Sequence, residues 1–125
     1  MFHEWTDAQS FAEWMCPRPA RATRVELDAR VGGALRIDVV DGTIEFVVTG
    51  EYVEVDPPHR LAFTWRCSNW PDPQLDTFVT VTIEPHGVDQ SLMRIRHRQL
   101  PPLLASPHED GWARIAEQLA LVLDT

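Results

Sequence analysis

Gly50-Glu51-Tyr52-Val53-Glu54-Val55-Asp56-Pro57-Pro58-His59-Arg60-Leu61-Ala62-Phe63-Thr64-Trp65 decides how the rest of the chain is read. Its first part closes the longest strand candidate, residues 43 to 55, in which Gly50 marks a bulge or bend that lets the strand curve and its two halves face differently. Asp56-Pro57-Pro58-His59 then breaks the sheet, because proline removes a ladder donor and fixes the backbone. Leu61, Phe63 and Trp65 resume the alternation on the far side. The stretch is a strand, a break and a second strand.

The same period of two extends in both directions. Upstream, Val25, Leu27 and Ala29 alternate with Arg24, Glu26, Asp28 and Arg30; Gly32-Gly33 supplies a turn; Leu35, Ile37 and Val39 alternate with Arg36 and Asp38; and Asp41-Gly42 is a hairpin signal into Thr43. Downstream, Ser68 to Gln74 is a polar loop punctuated by proline, Thr77, Val79, Val81 and Ile83 alternate with Phe78, Thr80, Thr82 and Glu84, and a turn through Pro85 to Gln90 leads to Met93, Ile95 and His97 interleaved with Arg94, Arg96 and Arg98. Six strands in a meander are expected.

Two segments follow the helical period instead. Thr6-Asp7-Ala8-Gln9 has the form of a capping box, after which Phe11, Trp14 and Met15 form an apolar stripe that Pro17 and Pro19 end. Ser106-Pro107-His108-Glu109 combines an N-cap serine, a proline at the first helical position and a glutamate at the third, followed by Trp112, Ile115, Ala116, Leu119 and Val122 on one face. Sixteen helical residues span roughly 24 Å, and an eight-residue strand roughly 26 Å, so this helix can lie along the whole sheet. The architecture expected is α+β: a curved antiparallel sheet of about six strands wrapped on a long C-terminal helix.

Composition limits what such a chain can do. At 125 residues one domain, 1–125, with one core is expected. The net charge of −8, from 19 acidic and 11 basic residues, repels phosphate backbones and anionic membranes, so nucleic acid is not an expected partner. All the basic residues are arginine, and a chain without lysine carries no Schiff-base, pyridoxal-phosphate or phosphate-loop lysine. Cys16 and Cys67 stand alone, and His3, His59, His86, His97 and His108 have no metal-ligand spacing, so neither a metal nor a cofactor is expected. With no apolar run near 18 residues and no signal-like N-terminus, the reading is a cytoplasmic protein with reduced thiols.

The sixteen-residue stretch resembles the central signature of the START-like (SRPBCC) superfamily, and most closely the branch named after the activator of the 90-kDa heat-shock protein ATPase. Trp5-Thr6-Asp7, Ala12-Glu13-Trp14-Met15, Gly32-Gly33, Ile95-Arg96-His97 and Gly111-Trp112-Ala113-Arg114 fall in the matching order, over nearly the whole chain. The resemblance implies a helix-grip fold, whose sheet curls round the C-terminal helix and leaves an elongated apolar cavity. Members include lipid and hormone carriers, polyketide cyclases and chaperone activators, with no universal catalytic motif to carry over. Members also begin with a strand that this sequence lacks before Thr6, which is expected to leave the strand at 91 to 98 as an open edge. A homodimer is expected there, through residues 91 to 100 or through Phe2 and Trp5.

Candidate site residues are those on inward parity. Phe63, Trp65, Met93, His97, Trp112 and Ile115 are expected to line a cavity for an apolar or aromatic small molecule, between helix and sheet. His97 is read either as the only titratable group among apolar neighbours, orienting a ligand or serving a cyclase-like or hydrolytic enzyme as acid or base, or as a strand-end histidine bonded to a backbone carbonyl. A third role, chaperone activation through protein contact, rests on the family name alone. Arg94, Arg96 and Arg98 share an outward face, and Asp41, Glu45, Glu51, Glu54 and Asp56 read as solvated strand positions. Cys16 and Cys67 lack the cationic neighbours of a nucleophile.

Overall fold

A computed structural model describes residues 2–72, 74–85 and 91–123, without the side chains of Ser106 and of residues 121–123. Among the described residues the chain runs α1 (Phe2–Thr6), α2 (Ala8–Trp14), β1 (Arg21–Leu27), β2 (Ala34–Asp41), β3 (Ile44–Asp56), β4 (Arg60–Cys67), β5 (Thr77–Pro85), β6 (Ser91–Arg98) and α3 (Pro102–Leu123). The six strands form one antiparallel sheet in sequence order, β1-β2-β3-β4-β5-β6, as the run of hairpin signals requires. Residues 86–90, in the turn expected before β6, and the side chain of Val122 lie outside the described residues.

Register explains the core. Ile37 faces Val48, Val48 faces Cys67, Tyr52 faces Phe63, Phe63 faces Val79, and Val79 faces His97. Because side chains alternate along a strand, these pairs fix one apolar face, and a slip by one residue would turn the whole set to solvent. Against that face lie Trp112, Ile115 and Leu119 of α3, with Trp5, Phe11, Trp14 and Met15 from the N-terminal helices. This is the helix-grip arrangement.

The structure corrects the expected boundaries in ways that have local causes. The cap of α2 is Asp7, whose carboxylate accepts from Ser10 N–H at 3.0 Å; Thr6 instead ends α1, its hydroxyl turned toward the carbonyls of Phe2 and His3. That bond to the Ser10 amide holds the Asp7 carboxyl below the usual range, as an anion at a helix N-terminus should be held. Helix α3 begins at Pro102, not Ser106, so Pro107 lies inside it. The carbonyl of Pro101 accepts from Leu104 and Ala105 N–H, at 2.9 and 3.1 Å, and starts the helix earlier than the second proline-based signal does.

Gly50 and the bulge of β3 are separate features. Tyr52 pairs with Phe63 and Glu54 with Ala62, so the extra residue is Val53, which is exposed, and inward parity passes from Tyr52 to Val55. At Gly50 the reason for glycine is proximity: a Cβ there would lie 1.9 Å from the carbonyl oxygen of Thr64. The neighbouring Glu51 N–H donates to Thr64 Oγ1 at 2.9 Å, which holds β3 against β4 where the sheet bends. A second bulge at Thr23 lets β1 start at Arg21, before the alternation that begins with Arg24.

Trp5, expected at a subunit interface, is only 1% exposed. Its indole N–H donates to Met93 Sδ at 3.3 Å, and its ring packs edge-on against Trp14, with centroids 4.8 Å apart. Helix α1 therefore closes part of the space beneath the sheet.

Candidate functional site

The expected elongated cavity is divided. Trp5, Phe11, Trp14, Phe63, Trp65 and Trp112 interlock between sheet and helix, with Trp65 and Trp112 5.3 Å apart and Trp5 and Trp112 6.5 Å apart by ring centroids. Among the described residues one cleft lies on each of two flanks of α3, and the two share the wall formed by Trp112. The first, about 500 Å³, lies between β6 and α3, with Met93, Ile95 and His97 on one side and Ala105, Glu109, Ala113 and Ala116 on the other. The second, about 420 Å³, lies between α3, the segment Met15–Ala20, and the inward residues Ile37, Val39, Phe46, Val48, Trp65 and Cys67.

The six expected ligand-binding residues do not share one space. Met93, His97 and Trp112 line the first cleft, while Trp65, Trp112 and Ile115 line the second. Phe63 lines neither; it is 1% exposed, enclosed by Trp5, Tyr52 and Trp65. Its inward parity was legible, but α1 occupies the volume that would have exposed it.

Hydrogen bonds hold the His97 ring at the partition between the clefts. Trp112 Nε1–H donates to His97 Nδ1 at 3.0 Å, which leaves the ring proton on Nε2. Nε2–H then donates to Thr77 Oγ1 at 2.7 Å, and the Thr77 hydroxyl donates to the Trp65 carbonyl at 2.7 Å. Each donor has one acceptor and the chain runs in one direction. Burial, with His108 as the lesser cause, pulls the His97 imidazole down to about 3. The ring is neutral at ordinary pH, both its nitrogens are engaged, and it has no lone pair for a substrate proton while Trp112 stays in place. The acid–base reading of His97 thus lacks the free, suitably basic nitrogen that proton transfer needs. The partners are a threonine and a tryptophan, not the backbone carbonyl expected of a strand-end histidine.

Nor is His97 isolated from other titratable groups. His108 sits with its ring centroid 5.3 Å from that of His97 and 5.4 Å from that of Trp70. Its Nδ1–H donates to the Leu104 carbonyl at 2.9 Å, so Nε2 carries the lone pair; burial lowers its pKa too. His108 lines the second cleft. A helix capped by Ser106 would carry His108 as its second residue; the earlier start of α3 moves it onto the second turn, facing the sheet. The two signals that could have found it are the Trp-rich surroundings and its spacing of four from Trp112.

The far wall of the second cleft is tied down by one side chain. Gln118 Nε2–H donates to the carbonyls of Trp14 and Cys16, both at 2.8 Å, and its Oε1 accepts from Arg18 N–H at 3.0 Å. Cys16 and Cys67, both free thiols on this cleft, are pushed up by burial to about 11 and about 12, far from thiolate chemistry. Among the described residues no group of three or more His, Cys, Asp or Glu could hold a metal ion. No helix of the described residues is long and apolar enough to cross a membrane.

The chain has relatives with this architecture. Residues 1–124 match the model of the activator of Hsp90 ATPase homolog 1-like protein family. The mouse activator of 90 kDa heat shock protein ATPase homolog 1 is 30% identical over 88 residues, 70% of this chain and 24% of that protein, so the chain aligns with less than a quarter of its relative's length. A Silicibacter pomeroyi protein of the same family superposes with a TM-score of 0.85 at 26% identity, over 98% of this chain and 87% of that one. A Chromobacterium violaceum protein does so with a TM-score of 0.84 at 25% identity, over 97% and 85%. With its six-stranded sheet, its C-terminal helix and this match along nearly its whole length, the chain belongs to the activator of Hsp90 ATPase homolog 1-like family, a branch of the START-like (SRPBCC) superfamily.

Proposed function

We propose that this domain is a noncatalytic cytoplasmic binding module that takes a small apolar or aromatic molecule in the second cleft. The observation that carries the reading is the cleft itself: about 420 Å³, within the usual range for ligand sites, walled by inward aliphatic residues and by Trp65 and Trp112. Polar groups stand along the same lining, namely His108, Asn69 and Asp41, with Arg18 and Arg114. An apolar interior with a few polar groups orients a ligand without reacting with it.

The test uses the neutral probe N-phenyl-1-naphthylamine. It is expected to gain fluorescence on binding and to quench tryptophan emission. Gly111 offers a clean way to close the cleft, since a Cβ there meets only Pro17 Cγ, at 3.7 Å. Gly111→Leu should abolish probe binding, and Ala113→Leu, on the first cleft, should leave it unchanged. No binding to the wild type, or equal loss in both variants, overturns the proposal.

The 30% identity with the mouse activator supports a second reading, stimulation of a 90-kDa heat-shock protein ATPase through protein contact. Adding the purified domain to such a chaperone and following phosphate release decides it: an unchanged rate removes that reading.

A further inference from the structure

Two arginines stand at the mouth of the second cleft. Arg18, in the segment between α2 and β1, and Arg114, on α3, both line it and are both exposed, while the floor beneath them is buried: Ile37, Val39, Val48 and Trp65 are 1%, 4%, 3% and 7% exposed. The fold brings the two cations to one rim. A Cβ on Gly111 would lie 3.7 Å from Pro17 Cγ, and Gln118 Oε1 accepts from Arg18 N–H at 3.0 Å, so the segment that carries Arg18 is anchored to α3 at both places. Arg114 lies three residues after the first anchor and four before the second, on the same helix face. Among the described residues the ion pairs use Arg24, Arg30, Arg36, Arg60 and Arg66, and neither rim arginine. Asp110 and Glu117 stand at the helical spacings that could pair with Arg114, and neither does so.

Two like charges held on one rim above an apolar floor are stabilised by an anion whose other end is apolar. We propose that the ligand of the second cleft is an apolar monocarboxylate, its carboxylate held by Arg18 and Arg114 and its body laid on Ile37, Val39, Val48 and Trp65. This rests on the reading of the cleft as a ligand site and adds the chemical class. A guanidinium group is planar and can donate two parallel hydrogen bonds to a carboxylate, which fixes the orientation of the ligand as well as its charge. Asp41 is the only acidic side chain in the lining, so the charged groups there sum to one positive charge, a better match for a monoanion than for a phosphate dianion. The size follows from the volume: about 420 Å³, at the roughly 30 Å³ that a water molecule takes in the liquid, holds about fourteen non-hydrogen atoms, the size of an aryl carboxylate of two fused rings.

Displacement of N-phenyl-1-naphthylamine ranks three ligands of one shape: 2-naphthoate, the neutral 2-acetylnaphthalene and the cationic 2-naphthylmethylammonium. Affinity is expected to fall in that order. In the double variant R18Q/R114Q the advantage of naphthoate over the ketone should drop about tenfold, the loss of two ion pairs on an exposed rim. R94Q/R96Q removes the same charge from β6 and should leave that ratio unchanged. R18E/R114E should prefer the ammonium, which also shows that the reversed variant is folded. A ketone that binds the wild type as well as naphthoate does overturns the carboxylate class and leaves the cleft a ligand site. So does a ratio unchanged in R18Q/R114Q, or one lowered as much in R94Q/R96Q, which would make the preference an effect of net charge. Stronger displacement by 2-naphthyl phosphate would assign the rim to phosphate esters and overturn the proposal as well. If neither the naphthylamine nor naphthoate quenches the tryptophan emission of the wild type, the cleft is no ligand site and both readings fall.

Discussion

Replacing Thr77 by valine tests the hydrogen-bond chain that positions His97, with little change in shape. Thr77 is 0% exposed, and its hydroxyl both accepts from His97 Nε2–H and donates to the Trp65 carbonyl, each at 2.7 Å. Valine removes both bonds, about 1 kcal/mol each, and leaves the imidazole N–H without an acceptor, a further 1–3 kcal/mol or so. The ring cannot escape by changing tautomer, since moving the proton to Nδ1 sets it against the Trp112 N–H that donates there. The added methyl returns about 0.8 kcal/mol of burial. The net expectation is a loss of roughly 2–4 kcal/mol, and a lowering of the melting temperature by about 10 °C for a domain of this size. Urea unfolding followed by tryptophan emission should show a lower midpoint at unchanged slope. Thr77→Ser, which keeps the hydroxyl, should lose only about 1 kcal/mol, the value of a buried methyl group. The Trp112 indole proton, one of five such signals, should exchange faster in the valine variant. A valine variant within about 0.5 kcal/mol of wild type, the scatter of ordinary surface changes, would refute the chain of bonds as drawn; so would a serine variant as unstable as the valine one.

Acid should destabilise the domain through the same residue. Unfolded His97 takes up a proton near pH 6.5 and the folded ring not until about 3, so its contribution is complete above pH 6.5 and falls by about 1.4 kcal/mol per pH unit in between; urea midpoints at pH 7.5, 6.0 and 5.0 should show that slope, and His97→Asn should reduce it. Gly50→Ala should lose about 3 kcal/mol, the upper end for forced overpacking, since the new Cβ would lie 1.9 Å from the Thr64 oxygen; a neutral effect in thermal melts would show that β3 can move off β4 there. Gln118→Leu removes three hydrogen bonds, about 2 kcal/mol in a half-buried setting, and should speed amide exchange at Arg18 and weaken naphthylamine binding, because the Met15–Ala20 wall is no longer tied to α3.

The sheet was legible because antiparallel neighbours are local in sequence. Each hairpin signal, such as Asp41-Gly42 before β3, joins two runs whose inward residues then face one another, as Val39 and Phe46 do. Helix termini were less legible because several residues compete for each role. Thr6 and Asp7 are both good caps, and what decides between them is whether the five residues before them form a helix of their own; Trp5, by finding Trp14, Phe63 and Met93, makes that helix worth forming. Propensity in Phe2–Thr6 carries no such information.

The site was half legible for a related reason. Inward parity puts Trp65, Met93, His97, Trp112 and Ile115 on the core side, and the enclosed Phe63 with them, yet parity gives a face and not a volume. Whether an inward aromatic lines a cleft or fills it depends on what arrives from a distant part of the chain. Trp5 approaches from 88 residues away to meet Met93, and Gln118 from 104 away to meet Trp14; together they turn one expected cavity into two clefts with Trp112 between them. His97 shows the same limit at the level of one atom. Its isolation on an apolar strand face suggested a free imidazole, while the fold brings it a donor from α3 and an acceptor from β5. A nitrogen that looked available for chemistry is thereby used to hold the tryptophan that separates the two clefts.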